Sequence, residues 1–256
     1  MKGKTNKRRK ILLGIGIPLL VLAVLLIVSA IYLEDAYPAD ADAIEAEFPA
    51  MRGVSEQTLE NGDLVFSKPG ARTGLIFYPG GKVEHTAYVP LMRELAKRGV
   101  CCVLCKMPFR LAVFGLHAAD VAREALPDVE RWYIGGHSLG GVIASSELAA
   151  HKGTYEGLIL LGSYATKDLS GEPVRALSIC GSEDRVLNRE QYEKNRRNLP
   201  ADLKEIVLDG GCHAYFGMYD AQDGDGEPAI SNAEQIRRTA EEIGTWLNGG
   251  AYAEDS

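Results

Sequence analysis

From residue 73 onwards, short apolar runs alternate with segments of helical periodicity, and this alternation constrains the fold more than any other feature. The runs are rich in Val, Ile and Leu and lack polar alternation, as in GLIFY, VCCVL and GLILL. Such runs are typical of strands that are covered on both faces. Because helices separate them, we predict one α/β domain over residues 53–250, with a doubly wound and mostly parallel sheet. Ligands of such sheets bind beyond the carboxyl ends of the strands, so the loops that follow the runs are expected to carry the chemistry.

Three shorter segments flank this domain. Residues 1–10 are basic, residues 34–52 are rich in Ala and Asp and are typical of a linker or short helix, and residues 251–256 form a tail. Inside the domain, Asn61-Gly62 lies between two short strand-like runs, which predicts a β-hairpin before the alternation begins.

Residues 11–33 form an apolar stretch without a single charge. As a helix these residues would reach about 34 Å, enough to cross a hydrocarbon core of about 30 Å. The lysines and arginines before the stretch predict a cytoplasmic N-terminus, with the domain on the extracytoplasmic side of the cell membrane. A cleaved signal peptide is the alternative, because Val28-Ser29-Ala30 offers small residues for cleavage. We favour a single-pass anchor, since the apolar run exceeds the roughly 7–15 residues of the apolar region within a signal peptide.

Charge and cysteine content exclude several classes of partner. The net charge is −7, and the first 33 residues carry six positive charges and no acid, so the remainder carries −13. A surface this acidic repels phosphate backbones, and we expect no nucleic acid partner. The five cysteines match no zinc motif and their odd number gives no disulfide framework. Cys180 and Cys212 would pair only if their strands were neighbours, and we favour free thiols.

The segment YIGGHSLGG places Ser138 between an apolar run and a helix. A nucleophile at a tight strand-to-helix turn needs residues without bulk two positions away, and Gly136 and Gly140 meet that need. The N–H groups of the following helix favour developing negative charge. The alternative is a phosphate-binding turn, but the chain has no Gly-Lys-Ser/Thr and no Gly-x-Gly-x-x-Gly after the first strand. We therefore interpret Ser138 as a candidate nucleophile.

A serine hydroxyl needs a base, and the base needs an orienting carboxylate. His213 is the candidate base, because it follows the last strand-like run in the segment DGGCHAYFG. His137 is adjacent to Ser138, but we expect its side chain to point away from that serine. Asp184 is the candidate acid in the turn GSEDRVL, with Glu183 as the alternative.

An oxyanion hole requires two backbone N–H donors. Leu139, directly after the candidate nucleophile, supplies one. We expect the second from the loop YPGGKVEH after the first strand of the alternating region, where glycines allow close approach to a substrate. Gly81 is the preferred donor and Lys82 the alternative.

Several segments resemble the α/β-hydrolase superfamily, and within it a compact, membrane-anchored bacterial group similar to dienelactone hydrolases: YPGGKVEHTAYVPLMRELAKRG, KMPFRLAVFG, WYIGGHSLGG, GSEDRV and GGCHAYFG. The resemblance covers about residues 73–247, and the order Ser138, Asp184, His213 is that of nucleophile, acid and base in the superfamily. It implies an α/β-hydrolase fold with an eight-stranded or slightly smaller sheet, and serine esterase chemistry. Dienelactone hydrolases proper use a cysteine nucleophile, so their substrate is not implied.

Two segments differ from many members of this superfamily. The stretch YATKDLSGE is too short for the lid that relatives carry there, so we predict an open site without a lid domain. The walls of the pocket would then come from MPFRLAVFGL, in which Phe109, Leu111 and Phe114 either line a substrate pocket or pack in the core. The acidic segment AQDGDGEPAIS lacks the acids of a calcium loop, so we predict no metal and place a surface loop near His213.

The sequence as a whole predicts a serine hydrolase that needs no cofactor and no metal. It would cleave an ester or related acyl bond of a small molecule through an acyl-enzyme. One alternative is a cell-surface acyltransferase, which uses the same machinery with a different acceptor. Another is a non-catalytic, membrane-tethered binding module of the same fold, which the three candidate catalytic residues argue against.

Overall fold

The structure is a computed structural model that describes residues 16–24, 36–115 and 117–249. The chain divides into two compact units between Ala36 and Tyr37. The second unit holds every strand of the sheet and all the candidate catalytic residues.

In the first unit, the described residues 16–24 are helical and exposed. Most of the predicted membrane span, residues 11–33, lies outside the described residues, as do the basic segment 1–10 and the tail 251–256. None of the helices within the described ranges is long and apolar enough to cross a membrane. The membrane anchor therefore stays a prediction.

An eight-stranded sheet forms the centre of the second unit. Its strands are β1 (Ser55–Thr58), β2 (Leu64–Ser67), β3 (Thr73–Tyr78), β4 (Val100–Leu104), β5 (Arg131–His137), β6 (Gly157–Leu161), β7 (Arg175–Gly181) and β8 (Asp202–Leu208). Their spatial order is β1-β2-β4-β3-β5-β6-β7-β8. β1 and β2 form the predicted antiparallel hairpin, β2 pairs antiparallel with β4, and every pair from β4 to β8 is parallel. The mostly parallel α/β sheet predicted from the alternation is confirmed.

Six α-helices accompany the sheet among the described residues of this unit. They are α1 (Ala41–Glu47), α2 (Val89–Lys97), α3 (Ala118–Ala125), α4 (Leu139–Ala150), α5 (Arg189–Arg196) and α6 (Asn232–Gly249). Side chains of α2 and α6 share one hydrophobic cluster with one face of the sheet, and side chains of α3 and α4 share a second cluster with the other face. Between β6 and β7, residues 162–174 contain no helix or strand, so no lid domain is inserted there.

Strand β3 illustrates why the apolar runs lack polar alternation. Leu75 and Phe77 belong to the cluster on one face, and Ile76 and Tyr78 belong to the cluster on the other. All four side chains are buried. Burying a side chain of this kind contributes roughly 1.5–3 kcal/mol, so a polar residue on either face would destabilise the sheet.

All five cysteines are buried and unpaired, which agrees with the free thiols favoured for Cys180 and Cys212. Burial raises the pKa of the Cys102 and Cys105 thiols well above the usual range. These thiols are therefore protonated at neutral pH and act as small apolar side chains.

Candidate active site

Ser138 occupies a strained turn between β5 and α4. Its backbone has φ 52° and ψ −122°, a conformation that residues with a side chain rarely adopt. Its N–H donates to the carbonyl of Leu161 at 2.9 Å, which ties the turn to the neighbouring strand. Such strain persists only where the surroundings hold it, and it concentrates at functional sites.

The two glycines predicted around the serine are required by close backbone approach. A Cβ on Gly140 would lie 2.2 Å from the carbonyl oxygen of Tyr78, and one on Gly136 would lie 2.5 Å from the carbonyl carbon of Gly140. Neither site accommodates a side chain without moving the main chain. The pattern of small residues around Ser138 therefore has the steric cause expected from the sequence.

Asp184 and His213 form a buried hydrogen-bonded pair. His213 Nδ1 lies 2.9 Å from Asp184 Oδ2, and the two residues are 1% and 4% exposed. The other carboxylate oxygen of Asp184 accepts the N–H groups of Val186 and Leu187 at 3.1 and 2.8 Å. The alternative acid, Glu183, is half-buried and accepts a hydrogen bond from the Ser182 hydroxyl instead.

This pairing determines which nitrogen of His213 is available. We assign the ring hydrogen to Nδ1, because an ionised carboxylate only accepts hydrogen bonds. The lone pair is then on Nε2, which has no hydrogen-bond partner within the described part of the chain. A neutral imidazole with a free Nε2 is suited to accept a proton.

One cavity brings Ser138 and His213 together. It has a volume of about 220 Å³, and both residues line it. The remaining lining residues are Leu139, Val142, Gly162, Ser163, Tyr164, Val186, Leu187 and Asn188. Residues that follow β5, β6, β7 and β8 thus meet at the carboxyl edge of the sheet, where the sequence predicted the chemistry to lie.

Gly162 is a part of this site that the sequence analysis missed. Its φ is +51°, and a Cβ there would lie 2.9 Å from His213 Nδ1 and 3.1 Å from Asp184 Oδ2. The histidine and the aspartate therefore meet only because this position has no side chain. The sequence signal was a glycine at the end of an apolar run, which is common in turns and not specific.

The two predicted oxyanion donors lie side by side. Leu139 is the first residue of α4, and a Cβ on Gly81 would lie 3.1 Å from Leu139 Cδ2. The neighbouring donors are already used, because Gly80 N–H donates to the Tyr88 hydroxyl at 3.0 Å and Lys82 N–H donates to the Arg110 carbonyl at 2.9 Å. Gly81 is thus the better placed of the two candidates that the sequence offered.

The loop that carries His213 is held on both sides by side chains from later in the chain. The buried amide of Gln235 accepts from Cys212 N–H at 2.9 Å and donates to Cys212 O at 2.8 Å. Asp225 accepts from Ala214 N–H at 2.8 Å. The acidic segment that contains Asp225 therefore lies near His213, as predicted, and Gln235 is a support that the sequence analysis missed.

The three predicted pocket residues are not gathered in the cavity. Phe109 and Phe114 are exposed and touch each other edge to face, with ring centroids 5.6 Å apart. Neither lines the cavity that holds Ser138. Leu111 lies beside Gly81, 3.6 Å from a Cβ placed there. Phe109 and Phe114 thus do not pack in the core, and a role of these residues in substrate binding stays a prediction.

One cluster among the described residues has a donor set suited to a metal ion: Asp120, Glu147 and His151. These groups already have partners in the protein. Arg123 pairs with Asp120, the Tyr155 hydroxyl donates to Glu147 at 3.0 Å, and His151 lies 2.8 Å from Glu147. The cluster is fully accounted for by these ion pairs and hydrogen bonds, and the predicted independence from metal and cofactor stays a prediction.

Comparison with solved structures finds the same architecture in several hydrolases. A predicted CIB-like hydrolase from Thermoplasma acidophilum matches with a TM-score of 0.53 and 18% identity over 75% of this chain and 98% of that one. A membrane phospholipase A, described as a bacterial virulence factor, matches with a TM-score of 0.59 and 16% identity. The match covers 94% of this chain and 98% of that one. A dienelactone hydrolase from Anabaena variabilis ATCC 29413 matches with a TM-score of 0.55 and 13% identity. The match covers 77% of this chain and 99% of that one. At these identities the likeness concerns the fold alone.

Comparison with curated proteins finds no match. The model of the alpha/beta hydrolase family, in contrast, matches residues 74–237, which is more than half of the chain. The matched range begins in β3 and ends in α6, so it includes the strained serine turn and the buried histidine–aspartate pair. The chain therefore belongs to the alpha/beta hydrolase family.

Proposed function

We propose that the chain is a serine hydrolase that cleaves an ester or related acyl bond through a covalent acyl-enzyme. One observation carries the proposal: Asp184 holds Nδ1 of His213, and the histidine lines the same cavity as the strained Ser138. A base oriented by a carboxylate beside a serine at a strand-to-helix turn is the arrangement that activates a hydroxyl nucleophile.

In the first half-reaction, Nε2 of His213 accepts the hydroxyl proton of Ser138 while Oγ attacks the carbonyl carbon. The carbonyl oxygen becomes an oxyanion, which the N–H groups of Leu139 and Gly81 stabilise. The intermediate collapses, the bond to the alcohol breaks, and the imidazolium of His213 donates its proton to the leaving alcohol. In the second half-reaction, a water molecule replaces the alcohol and releases the carboxylic acid by the same steps.

Asp184 contributes by orientation and by charge. Its carboxylate fixes the ring of His213 and stabilises the imidazolium that forms after proton transfer. Because the pair is almost completely buried, water screens this attraction weakly. The two backbone N–H groups on the other carboxylate oxygen hold Asp184 in place.

The size of the cavity favours a small acyl group. Its volume of about 220 Å³ is below the roughly 300–1,000 Å³ of pockets that bind drug-sized ligands. Leu139, Val142 and Leu187 supply apolar walls next to Ser138. We therefore expect kcat/KM for p-nitrophenyl esters to be highest for short acyl chains and to fall as the chain is lengthened from acetate to laurate.

The decisive experiment is the substitution Ser138→Ala, assayed with p-nitrophenyl acetate and with a fluorophosphonate probe. The variant should fold normally, lose turnover and fail to react with the probe. Ser146→Ala is the matched control, because this serine lies further along α4 and its hydroxyl donates to the Val142 carbonyl at 3.1 Å. Wild-type turnover by Ser138→Ala would show that the nucleophile is assigned wrongly.

We also propose that residues 11–33 anchor the enzyme in the cell membrane, with the hydrolase domain on the extracytoplasmic side. The length of the apolar stretch and the basic residues before it support this arrangement. The membrane phospholipase A that shares the fold also matches 94% of this chain. A protein that retains residues 11–33 should stay with membranes after alkaline carbonate washing, and protease added to intact spheroplasts should digest the domain. Recovery of a soluble protein that begins after residue 30 would instead indicate a cleaved signal peptide.

A further inference from the structure

A continuous set of contacts joins the loop that holds Gly81 to the ring of His213. Gly80 N–H donates to the hydroxyl oxygen of Tyr88 at 3.0 Å, and that oxygen lies 2.7 Å from His137 Nδ1. The ring of His137 then packs against the ring of His213, with centroids 4.5 Å apart. Tyr88, His137 and His213 are all buried.

The hydrogen-bond partners in this set are consistent with a neutral His137. A backbone N–H only donates, so Gly80 occupies a lone pair of the Tyr88 oxygen. We assign the phenolic hydrogen to the bond with His137 Nδ1, which makes Nδ1 an acceptor and leaves the ring hydrogen on Nε2. Burial, followed by the nearby His213, holds the pKa of His137 well below its usual value. His137 is therefore a neutral ring that does not compete for the proton passed between Ser138 and His213.

These contacts pack tightly around the loop that contains Gly80 and Gly81. A Cβ placed on Gly80 would lie 2.8 Å from His137 Nδ1 and 2.8 Å from the Tyr88 hydroxyl oxygen. On its other sides, His137 packs against Phe216 at 5.5 Å between centroids, and Tyr88 packs against Phe77 at 5.3 Å. A shift of either polar group would therefore move the loop or the base.

We propose that Tyr88 and His137 are positioning residues that connect the oxyanion loop to the catalytic base. The hydroxyl of Tyr88 fixes Gly80 and thereby directs the N–H of Gly81, while the ring of His137 supports the face of His213. This inference rests on the proposed serine hydrolase function. A shift of about 1 Å in a positioned group is enough to reduce turnover about 10²-fold, so loss of the connection should affect kcat.

A double-mutant cycle tests the connection through Tyr88→Phe, His137→Phe and the combined variant. Each single variant should lower kcat for p-nitrophenyl acetate about 10- to 100-fold and leave KM unchanged, because neither residue lines the cavity that holds Ser138. The double variant should be no worse than the poorer single variant, since both changes break the same connection. Independent, additive losses would overturn the proposal.

Tyr155→Phe is the matched control. Tyr155 is buried like Tyr88, and its hydroxyl donates to Glu147 at 3.0 Å, away from the cavity that holds Ser138. Tyr155→Phe and Tyr88→Phe should lower the melting temperature by similar amounts, while only Tyr88→Phe should lower kcat. An equal effect of the two variants on kcat would reduce Tyr88 to a structural role.

The outcome for Ser138→Ala separates this proposal from the proposed function. If Ser138→Ala stays active, the function itself is wrong. If Ser138→Ala is inactive and folded Tyr88→Phe turns over at the wild-type rate, the positioning role alone is wrong. Should Tyr88→Phe fail to fold, the kcat of His137→Phe decides, and a wild-type value there would overturn the proposal equally.

Discussion

Replacing Gly162 with alanine tests the geometry of the candidate site most directly. A Cβ at this position lies 2.9 Å from His213 Nδ1, 3.0 Å from His213 Cε1 and 3.1 Å from Asp184 Oδ2. Non-bonded contacts of carbon are favourable only at about 3.5–4.0 Å. The histidine and the aspartate must therefore move by about half an ångström or more, which disturbs the geometry of the hydrogen bond between them.

The expected losses in stability and in activity have different causes. The left-handed backbone of Gly162, with φ +51°, costs a residue with a side chain about 1–2 kcal/mol. At about 2–4 °C for each kcal/mol, the melting temperature should fall by about 2–8 °C. Misplacement of the base should in addition lower kcat/KM about 10²-fold, which corresponds to about 2.7 kcal/mol of transition-state stabilisation.

Gly153→Ala is the control that separates the effect of the contacts with His213 and Asp184 from the effect of backbone strain. Gly153 has φ +76°, and no atom lies within 4 Å of a Cβ placed there. This variant should lose a similar amount of stability and keep the wild-type kcat/KM. Thermal melts and steady-state assays with p-nitrophenyl acetate measure both quantities. A Gly162→Ala enzyme with wild-type kcat/KM would refute the view that the close pairing of His213 and Asp184 supports turnover.

Three other predictions concern the supports of the site. Asp184→Asn should lower kcat about 10³- to 10⁴-fold with an unchanged circular dichroism spectrum, because the amide no longer selects the productive tautomer. Gln235→Met leaves the buried N–H and carbonyl of Cys212 without these partners. The free energy of unfolding, measured in urea, should fall by about 1–3 kcal/mol for each group, and kcat should fall as well. The control Thr239→Val, on the same helix, should lower stability alone. Burial lowers the pKa of His137 in the folded chain. Below about pH 6.5 the unfolded chain therefore binds a proton at this residue that the folded chain does not. The free energy of unfolding should fall as the pH drops through this range. The limiting slope from this group is about 1.4 kcal/mol per pH unit, and urea titrations of the wild type and His137→Phe between pH 7.5 and 5.5 should give the shallower slope for the variant.

The sequence predicts the sheet, and the positions of the three candidate catalytic residues along it, for a common reason. Apolar runs mark the strands of a parallel sheet, and all strand ends of one direction meet at one edge, so position along the chain translates directly into position in space. Ser138, Asp184 and His213 each follow such a run, and the structure places them around one edge of the sheet. Their catalytic roles stay predictions until the variants are measured.

The supporting residues are harder to predict because their roles depend on contacts between distant segments. His137 was expected to point away from Ser138, and the structure adds that its ring lies against His213. The sequence contains a weak signal for Gln235, because it is a polar residue on the face of α6 that also carries the buried Ile236 and Ala240. A polar residue in that position needs a partner, but helical periodicity does not identify which one.

The supports converge on His213 for a physical reason. β8, the strand that precedes it, lies at the edge of the sheet and has one strand neighbour, β7, so the sheet itself fixes the following loop less firmly than it fixes the turn after β5. Ser138 is held by a strand end buried between β3 and β6, whereas the base depends on bonds that come from outside the sheet. Gln235 and Asp225 hold the main chain on either side of it, and His137 packs against its ring. A displacement of about 1 Å lowers turnover strongly but has a small effect on the stability of the fold. Substitutions at these supports should therefore reduce kcat in variants that still fold.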